Sequence, residues 1–275
     1  MARKKKGFSY KSYKVIRSIV RFFYPKLKIN NIEHLPSEPC VIVSNHCQLF
    51  GPIAYELFFP EEKSIWCASE LCDRKKVKDF AYNDFFKYKS KKLKWWYKFL
   101  SFLMTPIFPY LFSNADTIPV YRDFLAVKTL RDSVKALEEG KNIIIFPESF
   151  EEYNNIVNRF NEGFVDIAKL YKKRTGKTLA FVPIYLAPKL KSAYMGEAIY
   201  FNAGNDIKEE RKKISEYLTF TITKIAESLP RHKVVPHNNI QKKYYKYNVD
   251  NFSCVNSNNL VKEQEFTDEN IVYDQ

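Results

Sequence analysis

The stretch Cys40-Val41-Ile42-Val43-Ser44-Asn45-His46-Cys47-Gln48-Leu49-Phe50-Gly51-Pro52 decides the fold. It begins as a short unbroken apolar run, the pattern of a strand buried in a sheet. Ser44-Asn45-His46 ends that run, and Gly51-Pro52 opens a helix through Phe59. Strand, loop and helix in succession build an α/β sheet, and chemistry on such sheets gathers where the strands end. His46 stands at that end. A neutral imidazole whose pKa lies near working pH can take a proton from an alcohol. Cys47 beside it is expected to point away, because neighbours at a strand end alternate, so a Cys–His nucleophile pair is not expected.

Working outward, residues 64–68, 117–121, 142–146 and 179–186 read as further strands. Pro183 is expected to turn the second half of the last one into an edge or a bend. Val127, Leu130, Val134 and Leu137 recur at helical spacing before the stop signal Gly140, and Phe164, Ile167, Ala168 and Tyr171 mark another helix. The alternation predicts an α/β fold with a mostly parallel, mixed sheet covered by helices. The 275 residues suffice to bury a core.

The formal net charge of +14 predicts a polyanionic partner, and where the charges lie narrows the choice. Residues 1–28 hold ten Lys or Arg and no acid. On a helical wheel Lys14, Arg17 and Arg21 share a face opposite Val15, Ile19 and Phe23, giving a basic amphipathic helix that ends near Pro25. A second basic and aromatic block surrounds Lys94, Trp95 and Trp96 and runs into an apolar segment, residues 99–113, interrupted by Pro106 and Pro109. Lysines and tryptophans beside an apolar stretch are the composition of a membrane-interface anchor, so an anionic membrane surface is the expected partner. The bland alternatives are solvated helices packed on the domain. Basic clusters flanking apolar segments, with no nucleic-acid motif, argue against nucleic acid. No segment reaches the roughly 20 apolar residues that span a bilayer.

Five cysteines without C-x-x-C spacing suggest neither a disulfide framework nor a metal site, and fit a reducing cytosol. His34, His232 and His237 read as structural or exposed, and Glu61-Glu62 as a solvated turn. Three divisions are expected: the basic helix 1–28, an α/β domain 29–237, and an Asn-rich tail 238–275, partly disordered.

Four short blocks follow in order. They are Asn45-His46, Ile118-Pro119-Val120-Tyr121-Arg122, Phe146-Pro147-Glu148-Ser149 and Val182-Pro183-Ile184. Phe160-Asn161-Glu162-Gly163 lies between the last two, and Leu229-Pro230-Arg231-His232-Lys233-Val234-Val235-Pro236 closes the region. Together, over about residues 29–237, they resemble the lysophospholipid (1-acylglycerol-3-phosphate) acyltransferase family. That family has an N-H-x4-D block, a block ending in Arg, F-P-E-G-x-R and V-P-x.

The resemblance implies acyl transfer from acyl-CoA or acyl carrier protein to a lysolipid hydroxyl at the cytoplasmic membrane face, without a metal or other cofactor. It makes His46 the general base beside Asn45. It gives Arg122 to the acceptor phosphate, with Pro147, Glu148 and Ser149 around the acceptor. Backbone N–H groups near the helix after Gly51 would steady the oxyanion.

Two positions depart from the pattern. Gly51 stands where the family has its Asp, and Ser149-Phe150-Glu151 replaces Gly-x-Arg. Glu56 is the nearest replacement carboxylate in sequence, and a backbone carbonyl is the other candidate to fix the imidazole tautomer. Arg122 and Arg159 are the cations to compensate for the anion in the altered third block, the alternative being an acceptor other than a simple phosphomonoester. The departures keep open a catalytically silent relative that binds membrane lipid or acyl carrier protein.

Overall fold

The structure, a computed structural model, describes residues 8–86, 91–121, 125–149, 156–237, 240 and 242–249. Among them lie strands β1 (Lys28–Asn30), β2 (Val41–Ser44), β3 (Lys63–Ala68), β4 (Thr117–Val120), β5 (Asn142–Ile145), β6 (Ala180–Ala187), β7 (Ser192–Met195) and β8 (Ile199–Tyr200). The helices are α1 (Phe8–Phe23), α2 (Phe50–Phe58), α3 (Val77–Ala81), α4 (Lys94–Asn114), α5 (Ala126–Glu138), α6 (Asp166–Thr175) and α7 (Ile207–Ser228).

All eight strands join one sheet in the order β1-β7-β6-β2-β5-β3-β4, with β8 beside β6. From β6 to β4 every neighbouring pair is parallel, while β7 and β8 run antiparallel to β6. The fold is therefore α/β with a mostly parallel, mixed sheet. The register Val43↔Ile145 and Val43↔Pro183 brings the C-terminal ends of β2, β5 and β6 to one edge.

Alternation divides the core. Val41, Val43, Ile143 and Ile145 pack with α5, α6 and α7 on one face. Ile42, Ile144, Val182 and Ile184 pack with Ala54 and Tyr55 of α2 on the other. Burial on both faces is why β2 and β5 read as continuous apolar runs.

Three expectations are corrected. Pro183 lies inside a fully buried strand rather than at an edge or bend. Its carbonyl accepts from the Gly196 N–H, so its nitrogen faces the interval where β7 has ended and β8 has not begun, and no ladder bond is lost there. The segment 99–113 is part of one 21-residue helix that runs through Pro106 and Pro109. It is held against α3 and α1, and no described helix is long and apolar enough to cross a membrane. The tail does not start at residue 238. Lys233 bridges Tyr247, and Asn248 is buried beneath the end of α7, so the domain extends to about residue 248. Residues beyond 249 lie outside the described part.

Candidate functional site

The His46 loop owes its shape to two successive residues with left-handed backbone, Cys47 (φ 51°) and Gln48 (φ 54°). Neither is glycine, and such conformations cost free energy that the surroundings must supply. The curl turns the chain back so that α2 starts against the end of β2. An added Cβ on Gly51 would stand 2.3 Å from the His46 carbonyl oxygen and 3.2 Å from Phe146. Position 51 therefore has no room for a side chain as α2 packs here.

The loop's polar groups are largely turned to backbone. The Asn45 amide pairs with Leu186, accepting its N–H at 2.7 Å and donating to its carbonyl at 3.0 Å. That pairing extends the β2–β6 ladder by one side chain, a strut rather than a reacting group. Glu148 accepts the His46 backbone N–H at 2.6 Å through Oε1 and the Asn158 N–H at 2.9 Å through Oε2. It staples two loops together. Cys47 is buried and donates to the Leu186 carbonyl at 3.4 Å, and burial pushes its thiol well up, with the Glu148 charge adding to the shift.

The His46 ring packs against Phe146 (centroids 5.1 Å) and His237 (4.8 Å, 78° between planes). Its Nδ1 is buried and has no hydrogen-bond partner. Burial pushes its pKa down to about 3, the nearby His237 pushes the same way, and the Gln48 backbone opposes. The ring is neutral across the physiological range. His237 was expected to be structural or exposed. Instead it faces His46, its own Nδ1 is buried without a partner, and burial lowers its pKa too. No sequence period announces it, since it reaches the site only through tertiary packing. Gln48 was also missed. Its Nε2 donates to the Tyr245 hydroxyl at 3.0 Å, and the two left-handed residues are visible only in the backbone.

Beside Glu148, Ser149 and Arg159 line an open cavity of about 380 Å³ with Phe160, Asn161 and Glu162. The Arg159 carbonyl accepts both the Ser149 N–H (2.8 Å) and hydroxyl (2.7 Å), and the buried Pro147 carbonyl accepts the Asn161 N–H at 2.9 Å. Glu148 is tied to the His46 backbone, whereas Ser149 and Arg159, but not Pro147, Glu148 or His46, line this cavity. Arg122 and Glu151 lie outside the described residues. Among those described, no group of three or more His, Cys, Asp or Glu is placed to hold a metal ion.

Glu56, the expected replacement carboxylate, is bonded to α1 and not to His46. Its Oε1 accepts from the Tyr13 hydroxyl (2.8 Å) and Arg17 Nε (3.0 Å), and the Arg17 guanidinium also reaches its carbonyl. Five residues along a helix is about 140° around it from Gly51, which sends Glu56 to α1 and away from His46. The same contacts correct the expected lipid face of α1. Arg17 is turned to the domain, and Arg21 lies over the Phe58 ring at 5.4 Å. Lys14 remains exposed over Tyr10. The outward side carries Phe22 (82% exposed) and Phe23 (80%), together with Val15 and Ile19. On α4, Trp95 (68% exposed), Trp96, Phe99 and Phe102 are likewise outside, with Lys94 exposed at the helix start. The two helices touch where Ser12 and Tyr110 share a hydrogen bond of 2.8 Å.

No family model matches the chain, and no curated protein matches it. Among solved structures it is similar to the crystal structure of the 1-acyl-sn-glycerophosphate (LPA) acyltransferase, PlsC, from Thermotoga maritima. The identity is 14%, over 78% of this chain and 79% of that chain, with a TM-score of 0.46.

Proposed function

We propose that this chain moves a fatty acyl group from a thioester, acyl-CoA or acyl carrier protein, to the hydroxyl of a lysophospholipid or related glycerolipid at a membrane surface. The observation that carries the reading is the neutral His46 ring at the sheet's C-terminal edge, whose buried Nδ1 has no hydrogen-bond partner, while Ser149, next to the Glu148 that holds the His46 N–H, lines an open cavity. In the proposed step the acceptor hydroxyl gives its proton to His46 and its oxygen forms the new C–O bond at the thioester carbonyl. The C–S bond then breaks, and the leaving thiolate recovers the proton from the imidazolium. A base held near 3 is weak in the empty site. A phosphate-bearing acceptor would bring negative charge beside the ring and raise its basicity as it binds. Arg159 on the cavity wall is the described cation suited to such a phosphate. The outward aromatic residues of α1 and α4 fit an interfacial location, where apolar rings sit at headgroup depth.

The experiment is acyl transfer from palmitoyl-CoA to lysophosphatidate on anionic vesicles. His46→Ala is expected to lower kcat/KM by about 10³-fold, in the range for loss of a general base. Wild-type protein inert with a panel of lysolipids and both donor types would remove the reading. One observation favours a second one, a lipid-binding relative without turnover: a side chain at position 51 would meet the His46 carbonyl, which leaves no room there for the carboxylate of the resembled family. That reading predicts vesicle binding with no transfer in any variant.

A further inference from the structure

Residues 232–237 and 242–248 pack at the site. Asn248, buried, donates to the carbonyls of Ala226 (2.8 Å) and Leu229 (3.1 Å) and accepts the His232 N–H at 2.7 Å. The Val234 N–H donates to the Lys246 carbonyl at 2.9 Å, and His232 Nε2 shares a 2.9 Å hydrogen bond with the Tyr185 hydroxyl. These bonds hold His232 and Asn248 to the end of α7 and to β6, while His237 lies on His46 and Tyr245 on Gln48.

Three buried side-chain nitrogen or oxygen atoms among the described residues have no hydrogen-bond partner: His46 Nδ1, His237 Nδ1 and Ser215 Oγ. Two of the three belong to facing rings whose centroids are 4.8 Å apart. Leaving such an atom unsatisfied costs about 1–3 kcal/mol, so a pair of them in contact asks for one explanation. Burial keeps both rings neutral. A neutral imidazole nitrogen is either a donor or an acceptor, according to tautomer. One ring of each tautomer supplies a donor and an acceptor within the same ring pair. A hydroxyl is the group with matching parts, one proton to give and lone pairs to receive. A carboxylate would need two donors. A metal ion would need more ligands than two rings, and no larger cluster stands here among the described residues.

We propose that His46 and His237 form a single hydroxyl-binding site, in which His237 donates to the oxygen whose proton His46 accepts. The ligand is an alcohol of the glycerolipid class, and this rests on the acyl-transfer reading. His237 is then a second catalytic residue. It contacts the reacting oxygen, fixes it against His46, and is chemically unchanged while the proton passes from oxygen to His46 and on to the departing thiolate.

The test has two arms. In the first, wild-type protein with ¹⁵N-labelled histidine is titrated with lysophosphatidate and with its analogue lacking the free glycerol hydroxyl. The Nδ1 resonances of both His46 and His237 are expected to move with the first ligand and not with the second. Equal shifts with both ligands overturn the proposal. In the second arm, His237→Phe fills the same space without a donor and is expected to lower kcat/KM about 30-fold, the size of one lost hydrogen bond at a buried site. His237→Asn returns an N–H and is expected to recover most of that loss. His237→Phe within twofold of wild type overturns the proposal even where acyl transfer is robust. Hydroxyl-dependent shifts in a protein that transfers no acyl group would keep the hydroxyl site and remove the enzyme reading.

Discussion

At the C-terminal edge of the sheet polar atoms lie inside with nothing to bond, while on the outer sides of α1 and α4 large apolar rings stand outside in water. The two regions invert the ordinary sorting in opposite directions. Elsewhere the chain sorts well. Asn45, Glu148, Glu210 and Asn248 are buried with backbone partners, and the cluster around β2 and β5 is uniformly apolar. A fold that satisfies Asn45 to 2.7 Å and leaves Nδ1 of its neighbour His46 without a partner is not simply loose there. Two of the three buried unsatisfied side-chain atoms among the described residues meet at this edge, the third being Ser215 Oγ, and under the proposed reading a ligand completes the structure there.

The comparison is most exposed to failure at the apolar face. Replacing Phe22 and Phe23 together by Ser is expected to weaken partitioning onto anionic vesicles about 100-fold, since two rings each contribute on the order of 1.5 kcal/mol when transferred from water. The thermal midpoint should barely change, because both rings are already exposed in the fold. Unaltered vesicle binding in a sedimentation assay would show that something other than lipid covers these rings.

The sheet edge is tested next by its one glycine. Gly51→Ala puts a methyl 2.3 Å from the His46 carbonyl, a backbone atom that cannot swing aside. A loss of about 2–3 kcal/mol in urea unfolding is expected. Gly51→Asp should be at least as unstable and should not raise activity, although it rebuilds the motif of the resembled family. A gain of activity there would mean that α2 yields easily and that the edge is less closed than its contacts indicate.

Acid probes the same edge through its imidazoles. The folded-state pKa values of His46, His232 and His237 are all lowered by burial, His46 to about 3. Between those values and the ordinary value of about 6.5 the unfolded chain binds protons that the folded chain refuses. Stability is thus full above about pH 6.5 and declines as pH falls towards 3. For His46 alone the loss at pH 5 is about 2 kcal/mol. Urea midpoints of wild type and His46→Gln, compared at pH 7.5 and 5, isolate that share. Identical slopes for the two proteins would place the ring in solvent.

How far the sequence discloses each region follows from the range of the forces that make it. β2 and β5 are legible because burial on both faces leaves unbroken apolar runs, and His46 is legible because a strand end is a local feature. β7, Ser192-Ala193-Tyr194-Met195, has no such run and exists by pairing with β1 and β6. α4 is masked by its two prolines. His237 is invisible because a ring contact between distant segments leaves no period. The helical wheel of residues 8–23 correctly separates basic from apolar sides, but which side packs depends on Glu56 and Phe58, partners far along the chain.

That last point gives the smallest expected effect and the sharpest sorting. Arg17 and Lys14 are three residues apart on one helix, and the wheel assigns them one role. Arg17 is paired with a carboxylate that also holds the Tyr13 hydroxyl, and the pair is only partly exposed, 29% and 22% for the two side chains. Arg17→Ala should cost about 1 kcal/mol of stability, the upper end for a partly solvated pair, and leave vesicle affinity nearly unchanged. Lys14→Ala should do the reverse, with stability unchanged and affinity for anionic vesicles down about fivefold, near 1 kcal/mol for a cation at the surface. If the two substitutions behave alike, α1 does not present opposite faces to domain and lipid. The exposed rings of Phe22 and Phe23 would then need a protein partner instead of a bilayer.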